Sequence, residues 1–159
     1  MNKKLCLLWL ALSATLGCYH MAHLYPVQGP LSAQTPPPIL AAKMTGTFTP
    51  ANFSAVLNDG EVCKGRFSVI PQPPASNRAN ATSSASDLSS AWDSIYGPGF
   101  YVAHVLGVRF YARALASGNR GTILNVEIYR SANVEQGAEL ASIKGVAKDS
   151  AGNIYKMVF

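Results

Sequence analysis

The chain has 159 residues, thirteen of them Lys or Arg and eight Asp or Glu, a length that gives one domain with a packed core and excludes two. Lys3 and Lys4 belong to the N-terminal flank, and the eleven cations that remain exceed the eight carboxylates by three, without a Lys/Arg cluster, which excludes a nucleic-acid-binding face. Two of the three cysteines lie in the first 18 residues, so no disulfide framework is available and the fold must hold by packing.

Asn2-Lys3-Lys4 followed by the twelve-residue apolar run Leu5 to Leu16 has the layout of a signal peptide, a basic flank and then a short apolar stretch. A helix there is too short for a bilayer, which takes about 20 apolar residues. From Leu5 through Ala42 no Asp, Glu, Lys or Arg occurs. Within the second half of that stretch, "YPVQGPLSAQTPPPILAA" (25–42) contains Pro26, Pro30 and Pro36-Pro37-Pro38. Each proline fixes φ and removes a backbone donor, so the composition predicts an extended Pro-rich tether over 18–42.

Two stretches carry a resemblance. Ala14-Thr15-Leu16-Gly17-Cys18 resembles a bacterial lipobox, with Thr15 standing where leucine is commoner. The resemblance implies cleavage after Gly17, acylation of Cys18, a signal peptide of 1–17 and residence in the bacterial cell envelope. Tyr19 after the cysteine, by the same resemblance, implies the outer membrane, facing the periplasm or the cell surface. "YPVQGPLSAQ" followed by "GEVCKG" makes residues 14–66 similar to small uncharacterised bacterial lipoproteins, a likeness that implies no activity.

Residues 43–159 read as a β domain. "NFSAVL" and "EVCKGRFSVI" flank Asn58-Asp59-Gly60, a strong hairpin signal, and alternation turns Cys63, Phe67 and Val69 to one face and Lys64 and Arg66 to the other. Residues 71–86 are a low-complexity loop. Leu88, Ala91, Trp92 and Ile95 then form the apolar stripe of a short helix near 87–96, with Ser86 or Asp87 at its start, Gly97-Pro98 at its end and Trp92 as its anchor. Further strands are predicted at Phe100–Leu115, bent at Gly107, and at Thr122–Ser131, Ala138–Lys148 and Asn153–Phe159. The turns between them fall at Ser117–Gly121, Asn133–Gly137 and Asp149–Gly152. The expected fold is therefore mainly β: an antiparallel β-sandwich or small barrel with one short helix, behind a signal helix and a tether.

Chemistry is sparse. His104 alternates with Val102 and Leu106 on an apolar face, and Cys63 points inward, so a Cys63–His104 dyad is the weaker reading beside two packed core residues. His20-x-x-His23 offers two imidazoles where structural zinc takes four ligands, and no metal or cofactor is expected. Glu127, Glu135, Glu139 and Asp149 show no general acid–base spacing, and no nucleophile elbow, phosphate loop or dinucleotide fingerprint occurs. The one candidate surface is Arg109-x-Tyr111-x-Arg113 on one strand face, with Lys144 and Lys148 extending it towards an envelope glycan, anionic lipid or protein partner. The expectation is a membrane-anchored, non-enzymatic binding or scaffolding protein. The alternatives are a hydrolase acting on envelope glycan or peptide, and an accessory subunit of an envelope machine.

Overall fold

The computed structural model describes residues 19–46, 51–71, 88–106, 110–130 and 142–159. The leader with Gly17 and Cys18, most of the loop at 71–86, Ser86 and Asp87, Gly107, Arg109 and the turn at Asn133–Gly137 lie outside the described residues, as do Glu135 and Glu139.

Eight strands form a closed antiparallel barrel, each pairing with the next in sequence and the last with the first. They are β1 (Tyr19–Gln28), β2 (Leu40–Thr45), β3 (Asn52–Val56), β4 (Val62–Val69), β5 (Phe110–Gly118), β6 (Ile123–Arg130), β7 (Ile143–Asp149) and β8 (Ile154–Val158). Alternation decides what each strand sends inward. Leu40, Ala42 and Met44 enter from β2, Cys63 and Phe67 from β4, and Leu124, Val126 and Ile128 from β6. β5 supplies the small residues Ala112, Ala114 and Ala116, which suits a lumen only wide enough for side chains. Phe53 and Phe67 meet edge to face at 5.6 Å between ring centres. The lumen is the hydrophobic core. Outward positions carry Lys43, Lys64, Arg66, Lys148 and Lys156, the reverse of the polarity of a membrane-spanning barrel.

Three hairpins at one end of the barrel use the same three-residue loop: Asn58-Asp59-Gly60, Asn119-Arg120-Gly121 and Ser150-Ala151-Gly152. In each the glycine N–H donates to the carbonyl of the residue before the loop, at 2.9, 3.2 and 3.1 Å. The glycines have φ of +81°, +101° and +85°, the left-handed position that closes such a loop. No described non-glycine residue, Asp59 included, adopts a positive φ.

The tether is corrected. Residues 19–28 and 40–45 are barrel strands, and the prolines fall where pairing does not need their missing donors. β1 pairs with β2 only from Tyr19↔Thr45 to Leu24↔Leu40, and continues against β8 alone from Tyr25 onward. Pro26 therefore sits on the unpaired edge, beside a register shift between Pro26 and Gln28. Residues 29–39 then cross the barrel's end, where Leu31 packs on the core and its N–H donates to Asn153 Oδ1 at 2.9 Å.

The strand expected over Phe100–Leu115 is also corrected: its first half is helical. Helix α1 (Ser89–Tyr96) stops at Gly97, and after Gly99 (φ +77°) the chain coils again through a wide turn at Tyr101–Val105, closed by Leu106 N–H on the Tyr101 carbonyl at 2.8 Å. Asp93 Oδ1 ties the two pieces by accepting the Tyr101 N–H at 2.8 Å. Together they cover the outer side of the barrel in a second core that joins Leu88, Trp92 and Val105 to Tyr111, Tyr129 and Val146. Trp92 is its anchor, as the sequence predicts. The face of β6 opposite Leu124, Val126 and Ile128 is thus buried at Glu127 and Tyr129.

Candidate binding surface

The stripe expected to face solvent on β5 is covered at Tyr111 and partly covered at Arg113, with Arg109 outside the described residues. Tyr111 is buried, and Arg113 is turned into an ion pair with Glu127 rather than towards a partner. Arg113 Nε and Nη2 donate to Glu127 Oε1 at 3.1 and 2.9 Å, and the Trp92 indole N–H donates to Oε2 at 2.9 Å. The register places Arg113 directly opposite Glu127, so sheet geometry makes the pair and α1 seals it. Burial, followed by the nearby Glu127 carboxylate, raises the Tyr111 phenol far above its ordinary range, so it remains a neutral hydroxyl. Tyr111, Arg113, Glu127 and Trp92 form a docking network for the helix.

Lys144 and Lys148 both point outward from β7, as expected, but into different surroundings. Lys148 lies near the hairpin end, beside Asn125 and Ser150 in a shallow hollow. Lys144 meets aromatic rings. Trp92, Tyr96, Phe100 and His104 recur every four residues, and their rings follow one another at 5.5, 4.8 and 4.6 Å between centres. Lys144 Nζ lies 5.8 Å from the Tyr96 ring centre and 5.5 Å from that of Phe100, and Lys156 Nζ reaches Tyr96 from β8 at 5.5 Å. The ladder runs from fully buried Trp92, through half-buried Tyr96 and Phe100, to exposed His104. Burial pushes the Tyr96 hydroxyl up to about 12. The arrangement presents aromatic surface and two ammonium groups side by side. It suits a ligand with both apolar and anionic parts.

His104 is corrected accordingly. Because the chain is helical there, it leaves the face of Leu106 and stacks on Phe100 outside the barrel, while Val102 is exposed. Cys63 is fully buried in the lumen, as predicted, and burial raises its thiol above the ordinary range. The two are not brought together. His20 and His23 lie on opposite sides of β1, and no group of three or more His, Cys, Asp or Glu poised for a metal occurs among the described residues.

Two buried carboxylates escaped the sequence reading as organising groups. Glu61 accepts the Thr122 hydroxyl at 2.6 Å on Oε2, and the Arg120 and Thr122 N–H groups on Oε1 at 2.7 and 3.1 Å. The Thr122 hydroxyl, helped by those backbone donors, holds the Glu61 carboxyl below its usual value. A Cβ on Gly118 would collide with the Glu61 carboxylate, which explains the glycine. Asp149 accepts from Asn153 Nδ2 and backbone N–H, each at 2.8 Å, and from the Tyr155 hydroxyl at 2.6 Å. The Glu61 bonds fasten the β3–β4 hairpin to the β5–β6 hairpin, and the Asp149 bonds brace the β7–β8 hairpin. An open depression of about 280 Å³ lies over them, lined by Leu31, Leu57, Asp59 and Tyr155, and the carboxyl of Asp59 is paired with Arg120 at 2.8 Å.

Fold and site together define a closed, up-and-down, eight-stranded barrel with a filled lumen and an aromatic–lysine face. No protein-family model, curated protein or solved structure matches the chain. The ladder was missed although its signal, Trp92-x₃-Tyr96-x₃-Phe100-x₃-His104, is in the sequence. The alternation of apolar residues after Gly99 masks it.

Proposed function

We propose that the protein is a bacterial envelope lipoprotein, anchored through acylated Cys18, that acts by binding an anionic envelope glycan on the face formed by Tyr96, Phe100, His104 and Lys144. The observation that carries the binding role is the pair of lysines set against a ring ladder that ends in solvent. Sugar faces pack on rings, and the acidic groups of such a glycan meet ammonium groups. The lipobox-like Ala14–Cys18 supports the anchor.

Co-sedimentation of the mature protein with isolated peptidoglycan sacculi tests this reading. Phe100→Ala and Lys144→Ala should each weaken binding at least about threefold, about 0.7 kcal/mol and within the range of a cation–aromatic contact. Lys148→Ala should leave it unchanged. Equal binding by all three variants overturns the assignment of the face.

A further inference from the structure

β1, the strand that follows Cys18, is unlike the others on its outer side. It buries Ala22, Leu24 and Pro26 and turns Tyr19, Met21, His23, Tyr25 and Val27 outward. Tyr19 is 57% exposed, Met21 47% and Val27 45%. The neighbouring strands continue the pattern, with exposed Val158 opposite His23 on β8 and exposed Ile39 just before β2. A lone exposed apolar residue is ordinary, whereas apolar or aromatic side chains at four of the five outward positions of one strand, with His23 between them, are not. β4, by contrast, spends its outward positions on Lys64 and Arg66.

The charge on this face has one sign. Lys43, in register with Met21, places Nζ 4.4 Å from the Tyr19 ring centre, while Lys156, in register with Tyr25, turns its Nζ to Tyr96. The outward positions of β1, β2 and β8 carry no carboxylate. Apolar and aromatic residues flanked by lysines are the composition of a surface that lies on anionic lipid: the rings settle at headgroup level and the ammonium groups reach phosphate. A second copy would meet the face with the same lysine and no carboxylate to pair it.

We propose that the outer face of β1, flanked by Lys43, lies on an anionic lipid bilayer. This rests on the lipid anchor: consecutive Cα atoms are about 3.8 Å apart, so an acylated Cys18 holds Tyr19 at the headgroups. The ten residues of β1 run about 33 Å from that point. The barrel therefore reclines along the membrane instead of standing off it, and the α1 face, centred about two strands away, is carried to the side.

The test uses the mature, full protein in vesicles of phosphatidylethanolamine and phosphatidylglycerol. An environment-sensitive fluorophore is attached at Tyr25→Cys, at Val27→Cys or, as the control, at Lys148→Cys. Cys63 is buried and does not compete for the label. Expected are blue-shifted emission and at least twofold stronger quenching by brominated lipid at 25 and 27 than at 148. Labels at 25 and 27 as wet as the one at 148 overturn the proposal. So does a blue shift that bromolipid leaves unquenched and that vanishes on dilution, the signature of self-association. The N-terminal mass is measured on the same sample: an unacylated N-terminus overturns the anchor, whereas acylated protein with wet labels overturns the β1 face alone.

Discussion

Replacing Arg113 by Met should destabilise the barrel through the carboxylate it leaves behind. Glu127 has a side chain 1% exposed, and Arg113, 39% exposed, supplies two of the hydrogen bonds to Oε1. Breaking a fully buried pair costs about 3–5 kcal/mol, but water reaches the Arg113 side, which lowers the expected cost here to about 2–3 kcal/mol. With a urea m-value of about 1.5–2 kcal/mol/M, the midpoint should fall by about 1–2 M, read by circular dichroism or Trp92 fluorescence. The cost lies in a buried carboxylate that has lost its guanidinium, so adding Glu127→Gln should restore most of the loss: the amide oxygen still accepts from the Trp92 indole and carries no charge. A single variant within about 0.5 kcal/mol of wild type, or a double variant weaker than the single one, would refute the reasoning.

Three further outcomes follow from the same geometry. Tyr96, Tyr111, Tyr129 and Tyr155 have hydroxyls raised by burial, Tyr96 to about 12, so their stabilisation is complete below the ordinary tyrosine value and lost as pH rises through the folded one. Tyrosinate absorbance from these four should therefore appear between about pH 10 and 12 together with loss of β-sheet signal, and ionisation of all four in an intact barrel contradicts their burial. Glu61 is lowered, so its contribution is present above the ordinary carboxylate range and lost as pH falls through the folded value. The stability gap between wild type and Glu61→Gln should accordingly narrow below about pH 4, and a gap constant to pH 2 argues against the Thr122 bond. Gly65→Ala places a Cβ 2.5 Å from the Leu115 carbonyl oxygen, forcing β4 and β5 apart at a cost of about 1–3 kcal/mol, and a neutral effect in urea melts rejects that close approach.

The β architecture is legible wherever apolar and polar residues alternate, whether or not the polar side stays wet. Leu124, Val126 and Ile128 alternate cleanly, and the glycines of three short loops announce their hairpins. Proline and coverage hid the rest. A proline rule that holds for a central strand was applied to all of 19–42, but Pro26 occupies a stretch paired on one side only, and Tyr19–Tyr25 contains no proline. Tyr111 and Arg113 looked like a solvated stripe because nothing in β5 itself says that α1 will lie over it. His104 was misplaced by reading a period of two where rings repeat every four residues. Glu61 and Asp149 act through partners about 60 and 4–6 residues away, and no local spacing foretells the first.

The central claim is that Cys18 carries the protein's attachment to the membrane. Intact-mass spectrometry of the mature N-terminus, with Cys18→Ser alongside, addresses it most directly. The account predicts a chain beginning at Cys18 with acyl chains on that residue, and a Cys18→Ser protein that keeps its leader and bears no lipid. A mature chain that begins elsewhere, or at Cys18 without lipid, contradicts it.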